Sequence, residues 1–193
     1  MNKVTRFLSN IFGPPAAPTP RPTKPLAQVN VLPRDEALAV QGKALEGQLG
    51  LKHGQLDALD ALNRTLLLGV TEKEDLDCLQ AVIKKNRQCV QEIERRKKVL
   101  SCQKALSELQ KLLGMELKDD IRQGVNKIIG QIEEMTNPDF FFDKNKVCER
   151  VLLIQRQLLI LIDKVESKPP LLAMPIVVGL GTASTHLSGA VVF

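Results

Sequence analysis

Histidine and cysteine, the side chains that most often bind a transition metal or act as a nucleophile or general base, are few and scattered in this 193-residue chain. The two histidines, His53 and His186, lie far apart, and the four cysteines contain no C-x-x-C pair. Metal sites need closely spaced donors, so this pattern does not predict one. It favours reduced, mostly packed thiols in a cytoplasmic or other reducing compartment, with disulfide bonding as the alternative. The cysteines are Cys78, Cys89, Cys102 and Cys148.

The motifs that commonly mark enzymes are also missing from the sequence. It contains no glycine-rich phosphate loop, nucleophile elbow or metal signature. Adjacent acids such as Asp119 and Asp120 point to different sides of a helix, which favours solvated faces over a paired acid–base site. We therefore predict a non-enzymatic protein that needs no cofactor.

Four basic residues form the one surface pattern that suits a charged ligand. In an expected long helix they fall within about 80° of arc, which predicts a positive stripe for RNA phosphates or an anionic membrane. A solvated face whose charge is offset by neighbouring acids is the alternative, so nucleic acid is only a secondary prediction. The four residues are Lys84, Arg87, Arg95 and Lys98.

Residues 1–13 combine an apolar face with positive charge. Five apolar side chains recur at helical spacing, while Lys3 and Arg6 lie on the other side. This pattern predicts an amphipathic helix on an anionic membrane, and it equally suits an export or targeting signal or a helix docked on the protein's own bundle. The five apolar residues are Val4, Phe7, Leu8, Ile11 and Phe12.

A proline-rich segment follows, with seven of the eleven prolines between residues 13 and 33. It predicts a disordered, extended tether over residues 14–33. Residues 1–34 also hold five of the 27 basic side chains, whereas all 22 acids come later. The basic pI is thus a property of the N-terminal region and does not argue that the folded body binds nucleic acid.

Residues 34–168 are predicted to form an α-helical bundle or elongated hairpin with coiled-coil character. A long helix is expected over Thr71–Leu113, starting from a capping box between Thr71 and Glu74. Its apolar stripe changes side near Ser101, which favours a change of packing partner over a break in the helix. Four glycines predict that the preceding stretch divides into helices over residues 35–49 and 55–68. They are Gly42, Gly47, Gly50 and Gly54.

Two more helices are predicted, one over residues 115–135 and one from Asp139 or Asp143 to Lys168. The last carries a heptad seam that would form a core or bind a second copy. Leu152 and Leu159 widen this seam, which predicts burial on more than one side. The seam residues are Val147, Val151, Ile154, Leu158, Leu161 and Val165.

Among residues 169–193, His186 is the only residue whose side chain can carry a charge. The glycines and hydroxyl residues among them favour a weakly ordered apolar tail, with a bilayer-spanning helix as an alternative. The whole pattern predicts a helical interaction or scaffold protein, peripheral to a membrane and possessing protein partners that include a second copy of itself. The alternatives are a secreted effector or secretion-apparatus component delivered to a host cell, and a nucleic-acid-associated cofactor.

Overall fold

A computed structural model describes residues 33–67, 73–166 and 170–191. These ranges contain five α-helices, one 3-10 helix and no strand, so the predicted all-α class is confirmed. The predicted cap at Thr71 lies outside them. The elements are α1 (Arg34–Leu67), α2 (Lys73–Leu113), α3 (Asp119–Glu134), the 3-10 helix (Pro138–Phe142), α4 (Lys144–Glu166) and α5 (Pro170–Ser188).

Helix α1 runs without interruption through all four of its glycines, so the prediction of two shorter helices is wrong. A side chain at Gly47, Gly50 or Gly54 would meet nothing within 4 Å, so these glycines lie at open positions. Their cost is one of helix propensity alone, about 1 kcal/mol each. Burial of Leu45 and Leu59 in the same helix offsets it, because packing contributes more to helix stability than propensity does.

Helix α2 is continuous over 41 residues, and its two halves have different neighbours. Leu79 and Ile83 pack with Leu59 of α1 in a small cluster. Cys102 and Leu109 belong to a larger core formed with the later helices. The predicted change of packing partner is therefore confirmed, and the helix does not break at Ser101.

The chain divides into two compact units, and both long helices contribute to each. In the first unit, residues 46–67 of α1 face residues 73–93 of α2. Asn63 accepts a hydrogen bond from Gln80 at 2.8 Å, and the Lys52 carbonyl accepts one from the buried Asn86 side chain at 3.4 Å. Since the earlier residue of α1 pairs with the later residue of α2, the two segments are antiparallel.

The second unit consists of residues 33–45, 94–166 and 170–191, and helix α4 lies at its centre. Helix α4 packs against α3, α5 and the 3-10 helix. The backbone N–H of Lys146 donates to the Asp143 carboxylate at 3.1 Å, so Asp143 caps the start of α4. Gly124 of α3 allows close approach, because a Cβ there would lie 2.6 Å from Leu161 Cδ2.

The prediction of a weakly ordered C-terminal tail is wrong, since Pro170–Ser188 forms helix α5. Leu180, Ala183 and Leu187 are fully buried in the core of the second unit. The small residues allow this burial, because a Cβ at Gly179 would lie 2.6 Å from Leu112 Cδ2. Among the described helices, none combines the length and the apolar character that crossing a bilayer requires.

Candidate functional site

The five apolar residues proposed for membrane or partner contact lie outside the described residues. They are Val4, Phe7, Leu8, Ile11 and Phe12. The structure therefore adds nothing to the prediction of an amphipathic helix over residues 1–13.

The basic stripe on α2 is divided between the two units, with Lys84 and Arg87 in the first and the other two residues in the second. Lys84 is exposed, and Arg87 pairs with Asp60 at 3.4 Å. The Arg95 guanidinium lies 4.2 Å from the centroid of the Phe142 ring, a cation–π geometry. Burial lowers the pKa of the fourth residue, Lys98. Arg87 thus has an acidic neighbour and Arg95 an aromatic neighbour, each within its own unit. Neither unit contains all four of the basic residues that were predicted to bind an anion.

The heptad seam of α4 faces the core of the second unit. Every residue of this seam has at most 5% of its surface exposed. The seam therefore packs within one chain and is not available to a second copy in this fold. Its residues are Val147, Val151, Ile154, Leu158, Leu161 and Val165.

The opposite side of α4 carries a second set of large aliphatic residues. Leu152 and Leu159 are 54% and 58% exposed, so the prediction that they extend the buried seam is wrong. Leu153 and Ile160 are 45% and 54% exposed beside them. The sequence signal was present as two adjacent aliphatic pairs seven residues apart, but a helix buried on several sides would show the same signal.

Three charged residues share this side of α4 and are exposed: Glu149, Arg156 and Asp163. At 100° per residue, they and the four aliphatic residues fall within about 120° of arc, centred on Arg156. We call these seven positions the outer face of α4. It presents two aliphatic pairs, one on each side of a central arginine, with an acid at either end.

Helix α5 adds further exposed apolar surface to the second unit. Met174 and Val178 are 64% and 60% exposed. Thr182 donates its hydroxyl hydrogen to the Val178 carbonyl at 2.8 Å, and Thr185 donates to the Gly181 carbonyl at 3.0 Å. Because these hydroxyl donors are used within the helix, the exposed side of α5 is chemically more apolar than its composition indicates.

A polar cluster joins the start of α1 to α2. Asp35 accepts a hydrogen bond from Ser107 at 2.7 Å and pairs with Lys111 at 2.6 Å. The hydrogen bond from Lys111 lowers the pKa of the Asp35 carboxyl, and the same bond raises the pKa of Lys111. Ser107 donates directly to a carboxylate and not to an imidazole, so this cluster lacks the arrangement that activates a serine nucleophile. Its role is to attach α1.

A shallow cavity of about 170 Å³ lies beside that cluster, lined in part by Lys104, Glu108 and His186. Burial lowers the pKa of His186, and the nearby charges of Lys104 and Lys111 lower it further, while Glu108 opposes them. Its surroundings of two cations and one acid, together with burial, therefore favour the neutral imidazole.

The described residues contain no group of three or more histidine, cysteine, aspartate or glutamate side chains that could hold a metal ion. All four cysteines are free. Burial raises the pKa of the Cys102 thiol to about 12, which makes this sulfur a poor nucleophile. No known protein family, curated protein or solved structure matches this chain.

Proposed function

We propose that this protein is a non-enzymatic helical interaction protein whose second unit binds protein partners through the outward surfaces of α4 and α5. One observation carries the proposal: α4 exposes four large aliphatic side chains on the side opposite a completely buried seam. Large aliphatic side chains grouped on the exposed face of a helix whose other face fills the core are typical of an interaction site.

The exposed fractions indicate how much the four aliphatic residues could contribute to binding. Burying an aliphatic side chain completely is worth about 1.5–3 kcal/mol, and these four are each about half exposed, so a partner gains about 1 kcal/mol per residue. Four such residues contribute about 4 kcal/mol before the costs of association. The exposed acids Glu149 and Asp163 at the two ends supply a polar rim, and the central Arg156 supplies a charge that helps to orient a partner.

A membrane contact through residues 1–13 is a second part of the proposal. The apolar face of this segment and its two basic residues suit an anionic bilayer, and the proline-rich segment 14–33 would act as the tether to the helical body. The coiled-coil character predicted for residues 34–168 stays a proposal, and in the antiparallel segments of α1 and α2 it is supported by the buried Asn86, which would fix their register.

The membrane part is tested by flotation with vesicles that contain anionic lipid. Basic residues near such a surface contribute about 1 kcal/mol each, so apolar insertion must supply most of the binding. Phe7→Asp should therefore reduce flotation more than Lys3→Ala, and added salt should weaken binding without abolishing it. Equal flotation of the full chain and of a chain lacking residues 1–13 would contradict this part of the proposal.

The protein-binding part is tested by affinity capture with matched variants. The double change Leu152→Gln/Leu159→Gln removes exposed aliphatic groups at little cost in helix propensity. Leu51→Gln is the control, because Leu51 is 64% exposed and belongs to the first unit. Proteins retained by the wild type and the control, but lost from the double variant, are then purified and titrated calorimetrically. Identical retention by all three proteins would contradict the proposed surface.

A further inference from the structure

We propose that the outer face of α4 binds the same face of a second copy of this chain, with the two α4 helices antiparallel. The inference rests on the proposed function, because it names one partner for the surface described above. Its basis is the order of charged and aliphatic residues along a face that the fold leaves exposed.

The charged residues of this face are spaced by one heptad. Glu149 precedes Arg156 by seven residues, and Asp163 follows it by seven. The pairs Leu152–Leu153 and Leu159–Ile160 fill the intervals between them. The face therefore reads nearly the same in both directions, which is the property that an antiparallel contact between identical helices requires.

The charges decide the register of the two helices. If the two helices crossed at Arg156, the Arg156 side chains of the two copies would face each other and repel. Glu149 of each copy would face Asp163 of the other, which is a second repulsion. A shift of one heptad removes both repulsions, because Arg156 of each copy then lies opposite an acid of the other. The twofold axis repeats the ion pair, so each dimer gains two of them.

Either acid can provide this pairing. With the axis between Leu152 and Leu153, Arg156 faces Glu149 of the second copy, and the four leucines of the first aliphatic pairs meet at the centre. With the axis between Leu159 and Ile160, Arg156 faces Asp163 instead, and the second aliphatic pairs meet. Each arrangement buries one aliphatic pair of each copy, together with Arg156 and the acid that it faces, and leaves the inward seam undisturbed in its own core.

The twofold symmetry also amplifies every substitution, because each change occurs twice in the contact. Leu152→Gln/Leu159→Gln removes two central aliphatic contacts in either register, and Arg156→Glu replaces two attractions with two repulsions. We expect each variant to raise the dimer dissociation constant by at least about tenfold. Leu51→Gln, on an exposed site of the first unit, should leave that constant unchanged.

Sedimentation velocity of the full-length protein over a dilution series, under reducing conditions, tests the inference. The wild type and Leu51→Gln should show a dimer that dissociates on dilution, whereas Leu152→Gln/Leu159→Gln and Arg156→Glu should sediment as monomers with unchanged helical circular dichroism. One of two charge exchanges, Glu149→Arg/Arg156→Glu or Arg156→Glu/Asp163→Arg, should restore the dimer and thereby identify the register.

Three results would overturn the inference: a monomeric wild type at all concentrations, a dimer that both Leu152→Gln/Leu159→Gln and Arg156→Glu retain, or failure of both charge exchanges to restore association. A monomeric wild type whose captured partners are still lost in Leu152→Gln/Leu159→Gln would refute the second copy as the occupant while leaving the proposed function intact. If the surface variants retained both self-association and the captured proteins, the dimer inference and the proposed function would both be refuted.

Discussion

A substitution at Gly179 gives a quantitative test of how α5 packs. An alanine Cβ at this buried position would lie 2.6 Å from Leu112 Cδ2 and 3.0 Å from Leu112 Cγ. Leu112 is only 1% exposed, so its neighbours leave it little space in which to move aside. Forcing an extra methyl group into such a core costs about 1–3 kcal/mol.

Gly181 provides the matched control in the same helix. A Cβ there would meet nothing within 4 Å, so Gly181→Ala should raise stability by up to about 1 kcal/mol through helix propensity alone. Gly179→Ala receives the same propensity gain, which cancels when the two variants are compared. Their unfolding free energies should therefore differ by about 1–3 kcal/mol, with Gly179→Ala the less stable.

Urea denaturation followed by circular dichroism measures this difference through the midpoint and the slope of each transition. Combining Gly179→Ala with Leu112→Ala should remove most of the penalty, because the clashing side chain is then absent. Equal stability of Gly179→Ala and Gly181→Ala, or a penalty that persists without the Leu112 side chain, would show that α5 does not pack on α2 as described.

Three further predictions concern titratable groups. At pH 8, iodoacetamide should modify the exposed Cys78 in the native protein but reach Cys102 only after unfolding, since burial raises the pKa of that thiol to about 12, as peptide mapping by mass spectrometry would show. The pKa of His186 is lowered in the folded protein, so the unfolded chain binds more protons than the folded chain below about pH 6.5. The free energy of unfolding should therefore fall as pH decreases through that region. His186→Gln should remove this contribution in urea titrations. The pKa of Asp35 is lowered in the folded protein, so its ionised carboxylate stabilises the fold above about pH 4, and this stabilisation is lost as pH falls through the folded pKa. Asp35→Asn should therefore lower the urea midpoint at pH 7. If Lys111 is the partner responsible, the difference from wild type should disappear in acid.

Much of the helical architecture follows from local sequence signals. The long α2 helix could be predicted because its polar junction residues are good helix formers and Gly114 marks its end. The inward faces of α3 and α4 could be predicted because their apolar residues repeat at helical spacing over several turns. Such signals need no knowledge of which segments pack together.

The errors have a common cause, which is that tertiary packing decided the outcome. The uncharged residues of α5 resemble a loose tail until Leu180 and Leu187 are seen to fill the core of the second unit. The glycines of α1 lower helix propensity, but its buried leucines keep the helix continuous.

The outer face of α4 could not be identified from sequence for a related reason. Leu152 and Leu159 are aliphatic residues in a strongly apolar helix, and periodicity alone does not say how many neighbours surround that helix. Only the placement of α3 and α5 around α4 leaves these side chains exposed.

Site-specific photo-crosslinking tests most directly whether this exposed face binds partners. The photoreactive residue p-benzoylphenylalanine replaces Leu159 in one full-length protein and the exposed Gln123 of α3 in another, and each is irradiated alone and with cell extract. We expect intermolecular adducts from position 159, including a species of twice the chain mass, and none at comparable yield from position 123. Equal yields from the two positions, or no adduct from position 159, would contradict the assignment of the outer face of α4 as the interaction surface.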